Sequence, residues 1–181
     1  MTMFLPSKSL LLIIDVQGNL AYRMHEKENL FKHLQALIQA AQILDIPIIL
    51  TEQVPEKIGA TVPEIRQHLK NISAIKKTSF SCWLSKDFKK QLKSFRRRQI
   101  IVAGIETHVC VYQTVHDLLK AKYDIQVVAD AVSSRTFENK LLALNRIKFL
   151  GADLTSTEMM ICELLRTSAH PKFKDVLKLM K

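Results

Sequence analysis

The chain of 181 residues carries 27 Lys and Arg against 17 Asp and Glu, a formal charge of +10, and 48% of its residues are apolar. One domain of that length buries roughly 70% of its unfolded surface, and with four Gly and five Pro the composition excludes a disordered or collagenous chain. No apolar run approaches the ~20 residues of a membrane span, and the N-terminus lacks the basic-then-apolar pattern of a secretory signal.

Ser9 to Asp15, reading SLLLIID, is an apolar run that ends in an acid. Such a run reads as a parallel strand buried on both faces. Leu30, Leu34, Leu37, Ile38 and Ala41 then mark one face of a helix, and Ile46 to Thr51 is a second apolar run. Ile72 to Ile75 is a short candidate strand. Lys86 to Arg98 holds seven Lys or Arg against one Asp, a net +6, yet Phe88, Leu92 and Phe95 recur there at helical spacing. It reads as an amphipathic helix with a solvated basic face; a nucleic-acid surface is the competing reading, without interleaved exposed aromatics to support it. Ile100 to Ala103 and Ile125 to Ala129 are further buried strands, and Val111 to Lys122 and Lys140 to Leu150 are amphipathic helices. Gly151 is placed to stop the second. Asp153 to Ser156 reads as a short edge strand, Ser156 to Arg166 as a capped helix, and His170 to Lys181 as a last helix after Pro171.

Strands alternating with helices predict βαβ units. The fold class is therefore α/β: one domain over residues 1–181, a three-layer α/β/α sandwich with a mostly parallel, doubly wound sheet. In such sheets, sites gather beyond the carboxyl ends of the strands, where Asp15, Glu52, Cys110 and Asp130 all fall.

Cys110, in GIETHVC, lies where a strand gives way to a helix. A helix N-terminus offers free backbone N–H groups and the positive end of the macrodipole, which favour a thiolate and can hold an oxyanion. A buried core cysteine is the bland alternative. Asp15 fits a general base or a helix N-cap. Lys77, with Lys76 as its competitor, would stabilise neighbouring anions and the developing charge of a tetrahedral intermediate. The cysteines are three, an odd number at wide spacings, which argues against a disulfide framework and suits the cytoplasm. Ser133 and Ser134 read as caps of the next helix, and no G-x-S-x-G elbow is present.

Three of these segments, LLLIIDVQ, KKTSFSCW and GIETHVCVYQT, stand in order with TEQVPEKIGATVPEI, VVADAVSSR and GADLTSTE. Together they resemble the isochorismatase-like cysteine hydrolases, closest to the isochorismatase domain-containing subgroup. The resemblance implies a Rossmann-like fold and a catalytic set of Asp15, Lys77 and Cys110. It also implies a cis peptide at Ile105–Glu106 that aims the N–H groups of Val109 and Cys110 at an oxyanion. The implied activity is hydrolysis of a small amide, carbamoyl or related C–N-bonded substrate through a thioester. The candidate pocket residues are Gln17 and Gln53, which fit capping equally well, Phe80 and Trp83, which fit a cleft wall or the core with the wall favoured for Phe80, and Glu106 and His108, which flank the nucleophile and point toward the substrate or away from it. Cys82 and Cys162 are read as structural.

Nicotinamidases of that family carry a D-x-H metal site after strand two, where this chain reads TEQVPEKIGAT. With no close pair among its six histidines, no metal and no cofactor are expected. The expected partners are a small-molecule substrate and further copies of the chain, as a dimer or tetramer, with neither membrane nor nucleic acid. A catalytically silent family member, acting in binding or assembly, is the alternative.

Overall fold

The first apolar run folds as β1, Ser9–Ile14, at the centre of a six-stranded sheet in the computed structural model, which describes residues 3–180. Period-two alternation places Leu10, Leu12 and Ile14 in one hydrophobic cluster and Leu11 and Ile13 in another. A strand covered on both faces has no polar side to alternate with, hence its unbroken apolar sequence.

The chain continues through α1 (Gly18–Ala21), α2 (Lys27–Ile43), β2 (Ile48–Gln53), α3 (Pro55–Ile58), α4 (Pro63–Arg66) and β3 (Ile75–Lys77). It then runs through α5 (Lys86–Ser94), β4 (Gln99–Ile105), α6 (Tyr112–Lys120), β5 (Asp124–Ser133), α7 (Phe137–Phe149), β6 (Asp153–Thr155), α8 (Thr157–Leu165) and α9 (Phe173–Leu177). Every strand pairing is parallel, in the order β3-β2-β1-β4-β5-β6. Side chains of α2, α4, α8 and α9 fill one hydrophobic cluster, and those of α5, α6 and α7 fill the other. This is the expected three-layer α/β arrangement. Strand order reverses between β1 and β4, so their carboxyl ends flank the crevice where sheets of this kind bind ligands.

Several boundaries differ from the sequence reading. The third strand is Ile75–Lys77, not Ile72 to Ile75; its register, Thr51 to Ile75 and Gln53 to Lys77, puts Lys77 on the sheet itself. The fifth strand runs to Ser133 because a bulge between Val102 and Gly104 lets β4 pair again with Val132 and Ser133. The basic helix ends at Ser94, and Arg96 takes a left-handed φ of 53° in the turn beyond it. Helix α7 starts at Phe137 with Thr136 as its cap: the Thr136 hydroxyl accepts from the Asn139 N–H. Ser133 and Ser134 are therefore not the caps. The Ser133 hydroxyl donates to the His25 carbonyl, and the Ser134 hydroxyl lies 3.0 Å from His108 Nδ1. The last helix is short, α9 followed by a 3-10 turn to Met180, and the Lys181 end of the expected helix lies outside the described residues.

Candidate active site

Asp15 follows the last residue of β1 with a left-handed φ of 51°. That conformation is uncommon for a residue with a Cβ. Its N–H donates to the Thr51 carbonyl across the sheet (3.2 Å). Its carboxylate does not cap α1, whose N-cap residue is Gln17. Instead Oδ2 lies 2.5 Å from Lys77 Nζ, and Oδ1 accepts the Thr51 hydroxyl at 2.7 Å. Both charged side chains are buried, and a buried ion pair needs hydrogen bonds for its remaining groups.

Lys77 has them. Its ammonium faces Asp15 Oδ2, Gln53 Oε1 (2.7 Å) and the carbonyls of Ser79 (3.2 Å) and Phe80 (3.3 Å). An ammonium carries three N–H donors, so in this arrangement none is left for the oxyanion of an intermediate, the role expected from the sequence. Burial works against the Lys77 charge, but the negative charges around it, Asp15 and the sulfurs of Cys82 and Cys110 when ionised, outweigh burial and hold its pKa above the usual lysine range. Lys77 is thus a fixed cation. Lys76, its competitor, points out to solvent from the same strand.

Cys110 sits in a π-helical turn, Thr107–Val111, that joins β4 to α6. Gly104 permits that approach: its φ is +117°, and a Cβ there would lie 2.1 Å from the Ile14 carbonyl oxygen. The peptide Ile105–Glu106 is cis, at the position the resemblance implies. Cys110 is 7% exposed, and burial, followed by the negative charge of Asp15, pushes its thiol well up against the opposing pull of Lys77. Burial thus works against the thiolate expected from the helix N-terminus, in the direction opposite to the dipole. The Val109 N–H, one of the two expected oxyanion donors, already donates to the Glu106 carbonyl at 3.0 Å.

The remaining pocket candidates divide. Gln17 is fully buried: its amide group donates to the carbonyls of Gln53 and Gly59, and its Oε1 accepts the Gln53 N–H at 2.6 Å. Gln53 holds Lys77 and donates to the Thr78 carbonyl. Both brace the ion pair. Trp83 turns away, packing edge-on against Tyr123 (5.9 Å between rings) with Lys89 over its face. Tyr123 precedes β5 at the amino end of the sheet, so Trp83 walls no cleft at the carboxyl ends. Phe80 stands 53% exposed in the turn whose carbonyl faces Lys77. Glu106 is buried, its Oε2 accepting the backbone N–H and the Nε of Arg135, both at 3.1 Å. His108 is half-buried against Ser134.

Sequence reasoning passed over Thr51, and its neighbour Cys82, read as structural, is indeed buried. Thr51 Oγ1 bonds Asp15, and Cys82 Sγ lies 3.8 Å from Thr51 Oγ1. Cys82 is fully buried and its backbone N–H donates to Thr114 Oγ1, one turn beyond Cys110 (2.9 Å). Burial and Asp15 push its thiol up to about 11. The signal was available only through pairing: β1 and β2 lie in register with Ile14 opposite Thr51. Glu52, another strand-end acid, ties down the Thr61 N–H and hydroxyl at 2.8 and 2.7 Å. A cavity of about 360 Å³ opens beside the edge strand and is lined by Val54, Lys76, Lys77 and Leu84 among others. Asp15 and Cys110 are not among its walls. Among the described residues no group of three or more His, Cys, Asp or Glu is placed to hold a metal ion. No described helix is long and apolar enough to cross a membrane.

Residues 9–159 match the family model described as the isochorismatase domain. A zebrafish protein named isochorismatase domain-containing protein 2 is 38% identical over 95% of this chain and 86% of its own length. A Phytophthora sojae protein named secreted isochorismatase effector Isc1 is 36% identical over 98% of this chain and 86% of its own. Among solved structures, one named as MAR1 ribonuclease from Caenorhabditis elegans is 38% identical with a TM-score of 0.93, covering 99% of this chain and 92% of that one. YcaC from Pseudomonas aeruginosa, solved with hexane-2,5-diol and covalent acrylamide, is 25% identical with a TM-score of 0.92, covering 98% and 91%.

Proposed function

This chain belongs to the isochorismatase family, and from that premise we propose that it is a metal-independent cysteine hydrolase of small amide, carbamoyl or related C–N-bonded substrates. The observation that carries the reading is the buried Asp15–Lys77 pair beside the buried Cys110 thiol. Nothing about folding requires those three: a buried ion pair is weak evidence for stability and is often replaced by apolar residues without loss. Covalent acrylamide in YcaC adds support, because acrylamide is a small amide whose alkene takes up nucleophiles.

In this scheme Asp15 takes the proton from Cys110 as the sulfur attacks the carbonyl carbon, and the C=O electron pair moves to oxygen. The Cys110 N–H is the assigned backbone donor to that oxyanion. Asp15 then gives the proton to the departing nitrogen as the C–N bond breaks, leaving a thioester. A water passes its proton to Asp15 and attacks the thioester, and the sulfur leaves with that proton. Lys77 stays charged throughout and keeps Asp15 in place. Phe80 and His108 are assigned to the pocket wall.

A panel of primary amides and carbamoyl acids, followed by ammonia release, tests the reading. Turnover of at least one should vanish in Cys110→Ala and fall about 10²–10⁴-fold in Asp15→Asn; turnover surviving in Cys110→Ala contradicts it. The ribonuclease name carried by the C. elegans protein favours a second reading, RNA cleavage. Asp15 and Cys110 are both buried, which suits a small substrate better than a polymer backbone. The cations of α5 point the same way, running from the Ser85 cap toward Arg98 at the far end of the sheet. Scoring the same variants for RNA cleavage separates the two. We place the protein in a reducing compartment because Cys82, Cys110 and Cys162 are all free. We read residues 1–181 as one unit that works as a homo-oligomer; helix α7 exposes Leu141, Leu142 and Phe149, an apolar face fit for burial.

A further inference from the structure

Asp15 has two carboxylate oxygens and two buried partners, of which the hydrolase reading uses only Lys77. The other is Thr51. Its hydroxyl lies 2.7 Å from Asp15 Oδ1, and its carbonyl accepts the Asp15 N–H at 3.2 Å. The strand that lines up beside β1 thus grips Asp15 at both the backbone and the side chain. The direction of the hydroxyl bond is fixed by chemistry, because an ionised carboxylate only accepts, so the Thr51 hydroxyl must donate to it. That leaves the Thr51 oxygen free to accept, and Cys82 Sγ, 3.8 Å away, is placed to donate to it. Cys82 is in turn held through its backbone N–H by Thr114 Oγ1 on α6.

Resting on the hydrolase reading above, we propose that Thr51 is the positioning residue of the reaction: a directed chain, Cys82 S–H to Thr51 O–H to Asp15 Oδ1, holds the Asp15 carboxylate in place to act as base. The titratable groups facing Asp15 are Lys77 on β3, Cys82 in the turn beyond it and Cys110 after β4. Lys77 supplies charge, whereas the Thr51 hydroxyl supplies a neutral, oriented donor in a buried site. Removing that donor leaves the carboxylate less well aimed at the thiol, a loss that a serine hydroxyl restores and that a merely structural threonine would not show.

Thr51→Val keeps the shape and the β-branch that suits a strand, so it removes the hydroxyl with little else. Thr51→Ser keeps the hydroxyl. The probe is acrylamide, and the readout is its rate of addition to Cys110 at neutral pH, by peptide mass spectrometry, with thermal unfolding as the check on folding. Thr51→Val should slow that addition about tenfold, and Thr51→Ser should restore the parent rate. A Thr51→Val rate equal to the parent's, in a folded protein, overturns the positioning role while leaving the hydrolase reading standing. A parent whose Cys110 takes up no acrylamide overturns both.

Discussion

Asp15 and Asp130 look alike in the sequence, each an acid closing an apolar run that forms a strand of the same sheet. Their surroundings make them different groups. Asp130 is half-exposed, and its carboxylate accepts the N–H of Thr157 at 2.8 Å and the Thr157 hydroxyl at 2.8 Å, with His33 3.6 Å away. It anchors the first turn of α8. Asp15 is buried against a fixed cation, a threonine hydroxyl and two thiols. A carboxylate on a helix N-terminus is stabilised where it stands and has little reason to accept a proton. One facing a buried thiol has a proton within reach to take. What separates structure from chemistry here is the partner set, not the residue.

The sharpest way to break that contrast is to remove the cation. Lys77→Met leaves a buried carboxylate unpaired, and should cost about 3–5 kcal/mol in urea unfolding as well as abolishing amide turnover. Asp15→Asn should fold and lose about 10²–10⁴ in kcat/KM, because it keeps the hydrogen-bonding shape and deletes the base. Asp130→Ala should behave oppositely, with turnover within twofold of the parent and a stability loss of about 1–3 kcal/mol from the lost charge-assisted hydrogen bonds. An Asp130→Ala protein as inactive as Asp15→Asn would end the distinction. The smallest effect is on alkaline stability. The folded Cys82 thiol ionises near 11 against an ordinary 9, so the unfolded chain loses that proton first. The fold's advantage is therefore complete below about pH 9 and is lost as pH rises toward 11. Cys82→Ala should flatten that decline in unfolding curves taken between pH 8 and 11.

Much of the fold was legible, because a strand buried on both faces must be apolar throughout and a helix on a sheet must repeat its apolar residues. The end of β5 was not: its extension to Ser133 depends on a bulge in β4, which no pattern within Ile125 to Ala129 encodes. For the site, the order of Asp15, Lys77 and Cys110 was readable, and the structure brings them to one crevice. Their electrostatics were not. The helix-terminus argument for a Cys110 thiolate is local, whereas the burial that opposes it comes from strands and turns far away in sequence. The same is true of Gln17 and Gln53, polar residues at strand ends whose task is set by partners 24 to 42 residues distant. Trp83 was open between cleft wall and core, and Tyr123 and Lys89 settle it away from the cleft.

The central claim is that the buried Cys110 thiol is made nucleophilic by Asp15, and exposed Cys162 offers an internal reference for it. The direct measurement is the rate of acrylamide addition to each cysteine at neutral pH, against acrylamide concentration, in the parent and in Asp15→Asn. Sulfur bonds to the terminal alkene carbon, and the thiol proton ends on the carbon beside the amide, so no further reagent is needed. Cys110 should react at a saturable rate that collapses in Asp15→Asn, while Cys162 reacts linearly and equally in both. Modification of Cys162 alone, or a Cys110 rate unchanged by Asp15→Asn, would contradict the claim.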